Sequence, residues 1–227
     1  RVFIENGADV NHVTRHKKTA LMLAAQNGHA DVVKVLIQNG ADVNHANKDE
    51  WRAIHFAAYH GYVEIAKLLL QNGADVNAVT KGDIWTPLHI ACQSYCPRVA
   101  DVLLKFGADV NAVFGDDNRT ALHTTARLGK TYYSLMLRLV WYGAKITRSA
   151  IAVEKSGVLR KIDDGLRELN RTKIPKLMND KEKRYIWNLA FVLAKTYPGN
   201  TVKIYYSVLP FISFYGMFME PKPKNRQ

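Results

Sequence analysis

Cysteine is nearly absent from this chain. Cys92 and Cys96 are the two present in 227 residues, too few for the disulfide framework that staples small secreted domains, so a reducing compartment is the expected setting. Two thiols at C-x3-C spacing do not complete a metal's ligand shell, and buried or partly buried thiols are expected instead. Long apolar runs are also missing. Ile204 to Met219 is 16 residues without a charge, short of the roughly 20 that cross a bilayer, and Pro210 and Gly216 interrupt it, so no transmembrane segment is expected. No basic-then-apolar leader opens the sequence. Residues 172–227 lack Cys, His and a glycine-rich phosphate loop, and carry only Asp180, Glu182 and Glu220 as acids, which leaves too few groups for catalysis. The chain is therefore read as no enzyme, with no cofactor, no catalytic residues and no metal site.

What is abundant is repetition. NGADVNHV at Asn6 to Val13 returns as NGADVNHA at Asn39 to Ala46, NGADVNAV at Asn72 to Val79 and FGADVNAV at Phe106 to Val113. Gly7, Gly40 and Gly73 are 33 residues apart, and Gly107 follows after 34, a period that marks a stacked repeat. At a matching offset lie TALM (Thr19 to Met22), RAIH (Arg52 to His55), TPLH (Thr86 to His89) and TALH (Thr120 to His123). Between these landmarks, Leu21, Ala24 and Ala25 make one short apolar face, Gly28 ends it, and Val32, Val33, Leu36 and Ile37 make a second. Threonine suits the N-cap, Pro87 the first helical position, and Gly28, Gly61 and Gly129 the left-handed close of the first helix. Neither helix is long enough to persist alone, so stability has to come from neighbouring repeats. Arg1 to Ile4 align with Lys34 to Ile37, so the sequence is expected to open inside a repeat.

TPLH, the alanine pair after it, the turn glycine, the leucine pairs Leu69-Leu70 and Leu103-Leu104, and GADVNA together resemble the ankyrin repeat over about residues 1 to 146. The resemblance implies an all-α solenoid of helix-turn-helix units joined by β-hairpins, followed here by a C-terminal helical extension. It implies protein binding without catalysis, in a scaffold or adaptor set in the cytoplasm, or in a host cell's cytoplasm should the chain be an effector delivered by an intracellular bacterium. It also makes His55, His89 and His123 scaffold residues that bond across the helix starts. A metal role for them is disfavoured because identical offsets give a ladder, not a cluster. Asn44, Asn77 and Asn111 each follow a leucine by eight residues, as in ankyrin sites of asparaginyl hydroxylation, but the family consensus itself creates that spacing. Departures are visible too: Arg52 stands where threonine should cap, and Tyr95 and Pro97 replace the glycine turn. Ser149 to Gly157 can be laid over Thr19 to Gly28 as a degenerate or capping repeat spanning residues 147–171.

Binding residues should occupy positions the scaffold does not need, on hairpin tips and the exposed side of the first helix. The residue before each repeat start gives one column, Lys18, Trp51, Trp85 and Arg119. Trp51 and Trp85 are expected side by side, with Tyr59, His60 and Arg127 on the adjacent helix face and Asp49 on a tip. Aromatic residues and arginine dominate interface hot spots, which favours a protein partner here. The competing reading is that each indole lies over its own hairpin and fills local space.

Charge sets the last third apart. Residues 1–146 hold 16 Lys and Arg against 13 Asp and Glu, whereas residues 147–227 hold 16 against 7. A solvated helix face is the plain explanation of such basic runs, with anionic lipid, RNA or an acidic partner as the alternative. No DNA-binding or RNA-binding signature accompanies them. Residues 172–227 read as a basic, aromatic-rich helical extension, with a helix from Asn179 or Asp180 through Thr196 and a further helical stretch after Pro198-Gly199, packing on the last repeats.

Overall fold

A computed structural model of the chain describes residues 5–128 and 132–153. The chain divides into two units at 156/157, and every described residue falls in the first. The expectations for Gly129, for the capping segment beyond residue 153, and for the helices, membrane or RNA contacts and packing of residues 172–227 lie outside the described residues. Nine helices are described: α1 (Ala20–Gln26), α2 (Ala30–Gln38), α3 (Ala53–His60), α4 (Val63–Gln71), α5 (Pro87–Gln93), α6 (Pro97–Lys105), α7 (Ala121–Leu128), α8 (Tyr133–Trp141) and α9 (Arg148–Val153). Odd-numbered helices pack in series, α1 on α3, α3 on α5, α5 on α7 and α7 on α9, and α2, α4, α6 and α8 form a second row. Each helix is at most nine residues long and takes its stability from this packing.

The core follows the period. Leu21, Ile54, Leu88 and Leu122 are fully buried at one repeat position, and Leu69 and Leu103 at another. Burying each such side chain contributes about 1.5–3 kcal/mol. The starts of the helices are held as their sequences require. Thr19 Oγ1 accepts the Met22 N–H, Thr86 Oγ1 accepts that of His89, and Pro87 is the first helical residue of α5. Arg52 has no such side-chain cap; its Nε instead donates to Asn44 O at 3.0 Å. Tyr95 takes up the left-handed turn itself, with φ 52°.

Two ladders join one repeat to the next. In the first, the Asn44 carboxamide donates from Nδ2 to Gly73 O at 2.8 Å, while its Oδ1 accepts the Asp75 N–H at 2.8 Å. Asn11 does the same with Gly40 and Asp42, and Asn111 with Gly143 and Lys145. Each aspartate of the phrase turns back on its own repeat, Asp42 Oδ1 accepting the Asn44 N–H at 2.9 Å. In the second ladder His55 Nδ1 accepts the Arg52 N–H at 2.9 Å and Nε2 donates to Ala78 O at 3.0 Å, and His89 bridges Thr86 N and Ala112 O in the same way. The expected scaffold bonds of these histidines are present.

The connections are shorter than full β-hairpins. Among the described residues the one bridge is Phe114 with Arg119, and the other three are tight fingers closed by the backbone N–H of Thr14, Asn47 or Thr80. The last described link is shorter: α9 follows Gly143 with no finger, and Thr147 Oγ1, not Ser149, accepts the Ala150 N–H. The helix cap therefore lies two residues before Ser149, the residue laid over Thr19 in the sequence alignment.

Burial lowers the pKa of His55 and of His89 from 6.5 to about 4. Since each ring binds its proton less readily when folded, stability is fully present above pH 6.5 and is lost as pH falls towards 4. Acidification through that window should lower the melting temperature, each histidine accounting for about 3 kcal/mol when fully titrated. In a His55→Gln/His89→Gln variant, denaturant melts should show a shallower dependence over the same pH range.

Candidate functional site

The column Lys18, Trp51, Trp85 and Arg119 is one structural position: each residue closes a finger by offering its carbonyl to the backbone N–H of Thr14, Asn47, Thr80 or Phe114. The residue before it is left-handed in all four fingers, with φ 55° at Lys17, 58° at Glu50, 57° at Ile84 and 50° at Asn118. This reversal lets the chain turn back. Backbone bonds also tie finger to finger, from Lys48 N to His16 O, Lys81 N to Asp49 O and Gly115 N to Asp83 O. Residues about 33 apart are thereby lateral neighbours.

The side chains of the column go different ways. Trp51 is half-buried and its ring meets His55, Phe56 and Tyr59 at centroid distances of 5.9, 5.1 and 6.1 Å. Lys18 donates to Gln26 Oε1 and lies 5.4 Å over the Phe56 ring. Trp51 thus covers its own first helix and not its hairpin. Tyr59 is 53% exposed and stands edge-on to His60, which in turn stacks on Tyr62. Asp49 is exposed on its tip. Trp85 turns instead towards the next finger, 5.0 Å from the Phe114 ring, and its buried Nε1–H has no hydrogen-bond acceptor.

Around Trp85 the fold opens a cleft of about 310 Å³, lined by Asp83, Asp116, Asp117 and Arg119 of fingers three and four and by Gln93, Thr124 and Arg127 of α5 and α7. Arg119 is paired with Asp117 at 2.7 Å, whereas Arg127, Asp83 and Asp116 form no ion pair among the described residues. The structure therefore gathers Trp85, Arg119 and Arg127 at one place and leaves Lys18, Trp51, Tyr59, His60 and Asp49 on the preceding repeats. Phe114 was missed by sequence reasoning. Its signal was its place beside the Gly115 turn, in a finger one residue longer than the second.

The chemistry on offer is recognition. His55 and His89 are bonded at both ring nitrogens and buried, so neither is free to move a proton to a substrate. Burial raises the pKa of both Cys92 and Cys96, which disfavours the nucleophilic thiolate. Among the described residues no group of three or more His, Cys, Asp or Glu could hold a metal ion, and no helix is long and apolar enough to cross a membrane.

A family model for ankyrin repeats, in three copies, matches residues 1–80, and one for a single ankyrin repeat matches residues 83–113. The chain is an ankyrin-repeat protein. No curated protein matches it. The ankyrin architecture extends past the matched residues, since α7 and α8 repeat the helix pair and Asn111 carries the ladder on to Gly143 and Lys145. Ankyrin repeats are in general protein-interaction modules.

Ile84 departs from what its position asks. A β-branched side chain in left-handed backbone is a conformational outlier, yet Ile84 holds φ 57° with its side chain 52% exposed. Ile84→Asn should stabilise the ankyrin array by about 1 kcal/mol, read as a melting temperature higher by a few degrees. A fall of similar size would show that the isoleucine contributes packing that outweighs its backbone cost.

Proposed function

We propose that this ankyrin array is a non-catalytic adaptor that holds a protein partner on its fingers and first-helix face. The observation carrying this reading is the cleft around Trp85, where aromatic rings and charged groups without partners of their own lie together, their side chains taking no part in the bonds between repeats. Such positions are free to serve recognition, because the ladders that hold the repeats together run through other residues. Tyr59, 53% exposed on the preceding repeat, extends the same face with the residue type most used as an interface anchor.

The full chain, coupled to resin and challenged with a cell extract, tests the face as a whole. The variant Tyr59→Ala/Arg119→Ala/Arg127→Ala should lose roughly tenfold or more in retention of whatever protein the native chain captures. Its circular dichroism and melting should match the native chain, since all three residues are exposed. A control variant, Lys34→Ala/Lys105→Ala on the second helices, should retain the protein. Equal retention by both variants would place the contact elsewhere.

A further inference from the structure

The cleft around Trp85 has two walls of opposite residual charge. On the finger wall Asp117 is neutralised by Arg119 at 2.7 Å, and Asp83 and Asp116 remain as two carboxylates without a cation. The helix wall carries Arg127, exposed near the end of α7 and without an anion among the described residues, beside the Gln93 amide of α5. Trp85 and Phe114, with ring centroids 5.0 Å apart, supply apolar surface in the same cleft.

We propose that this cleft receives an extended segment of the protein partner in which a basic and an acidic residue are adjacent, the basic side chain on Asp83 and Asp116 and the acidic one on Arg127. The proposal rests on the reading of the array as a protein-binding module and names the chemistry that its partner must present. Successive side chains of an extended chain point to opposite sides, so neighbouring residues reach opposite walls. A volume of about 310 Å³ is at the low end for ligand clefts and accepts a few side chains; a helix, roughly 10 Å across with its side chains, does not fit. Nucleic acid is disfavoured at the same place, because its phosphates would meet Asp83, Asp116 and Asp117.

Panning a phage-displayed library of random heptapeptides on the immobilised full chain tests this. On the native chain the enriched peptides should carry Lys or Arg directly beside Asp or Glu. On Asp83→Asn/Asp116→Asn the preference for the basic residue should fade, and on Arg127→Glu the acidic residue should be replaced by a basic one. A peptide enriched on the native chain should bind Arg127→Glu about tenfold more weakly, and should weaken as salt is raised, because exposed charge pairs are screened. Enriched peptides without adjacent opposite charges, or the same peptides on all three proteins, would overturn the charge-split cleft and leave the binding reading standing. Peptides that depend on Tyr59 and ignore the cleft variants would do the same. Failure of the native chain to enrich any peptide would count against both.

Discussion

At the junctions of Asn11, Asn44 and Asn111 one repeat meets the next through an asparagine carboxamide that donates to one backbone carbonyl and accepts one backbone N–H of its neighbour, as Asn44 does with Gly73 and Asp75 at 2.8 Å each. That reciprocal bond needs an amide of this length: an aspartate has no donor, and a glutamine would carry its amide one methylene too far. It also needs the receiving loop at a fixed place, which the preceding glycine turn provides; Gly73 has φ 84°. With helices of nine residues or fewer, such links decide whether neighbouring repeats fold as one unit. The phrase recurs in the sequence because the bond recurs in space.

The ladder is incomplete at one described junction. Asn77 accepts the Asp109 N–H at 2.8 Å, but its Nδ2 makes no bond to the next loop among the described residues. This junction spans 34 residues where the earlier ones span 33, and it is followed by the finger that carries Phe114 and the bridge to Arg119. Phe114, at the finger position that Asn47 and Thr80 hold in the earlier repeats, sets an aromatic ring against both Trp85 and His89, at 5.0 and 4.6 Å. The cleft forms beside the same junction.

Much of the fold was legible in the sequence because it depends on short-range chemistry repeated at fixed offsets. Thr19 and Thr86 as caps, Pro87 at the helix start and His55 and His89 as bridges follow from residue type and register alone. The column Lys18, Trp51, Trp85 and Arg119 was legible for the same reason, being one backbone position in each finger. Where those side chains go was not legible. Trp51 turns back because Phe56 follows on its own first helix to receive it, and Trp85 turns forward because Phe114 lies on the next finger. Side-chain direction is set by which neighbouring position carries an aromatic ring, in the same repeat for Trp51 and in the next for Trp85, and period and register do not report it. The cap of α9 was matched to Ser149 and falls on Thr147, because serine and threonine both serve as caps and residue type alone does not choose between them.

The division between ladder residues and free residues explains how the array can leave charges unpaired at its surface. Arg127, Asp83 and Asp116 are exposed and hydrated, so they cost the folded state little without partners; an exposed pair would contribute only about 0–1 kcal/mol. The backbone strain at Ile84 is likewise carried by bonds made elsewhere, through Lys81 to Asp49 on one side and Gly115 to Asp83 on the other. A finger held at both flanks can therefore present an unfavourable residue, or an unpaired charge, without loosening the stack. Substitution at these positions would change the charge of the surface while the asparagine and histidine bonds keep the fingers in register.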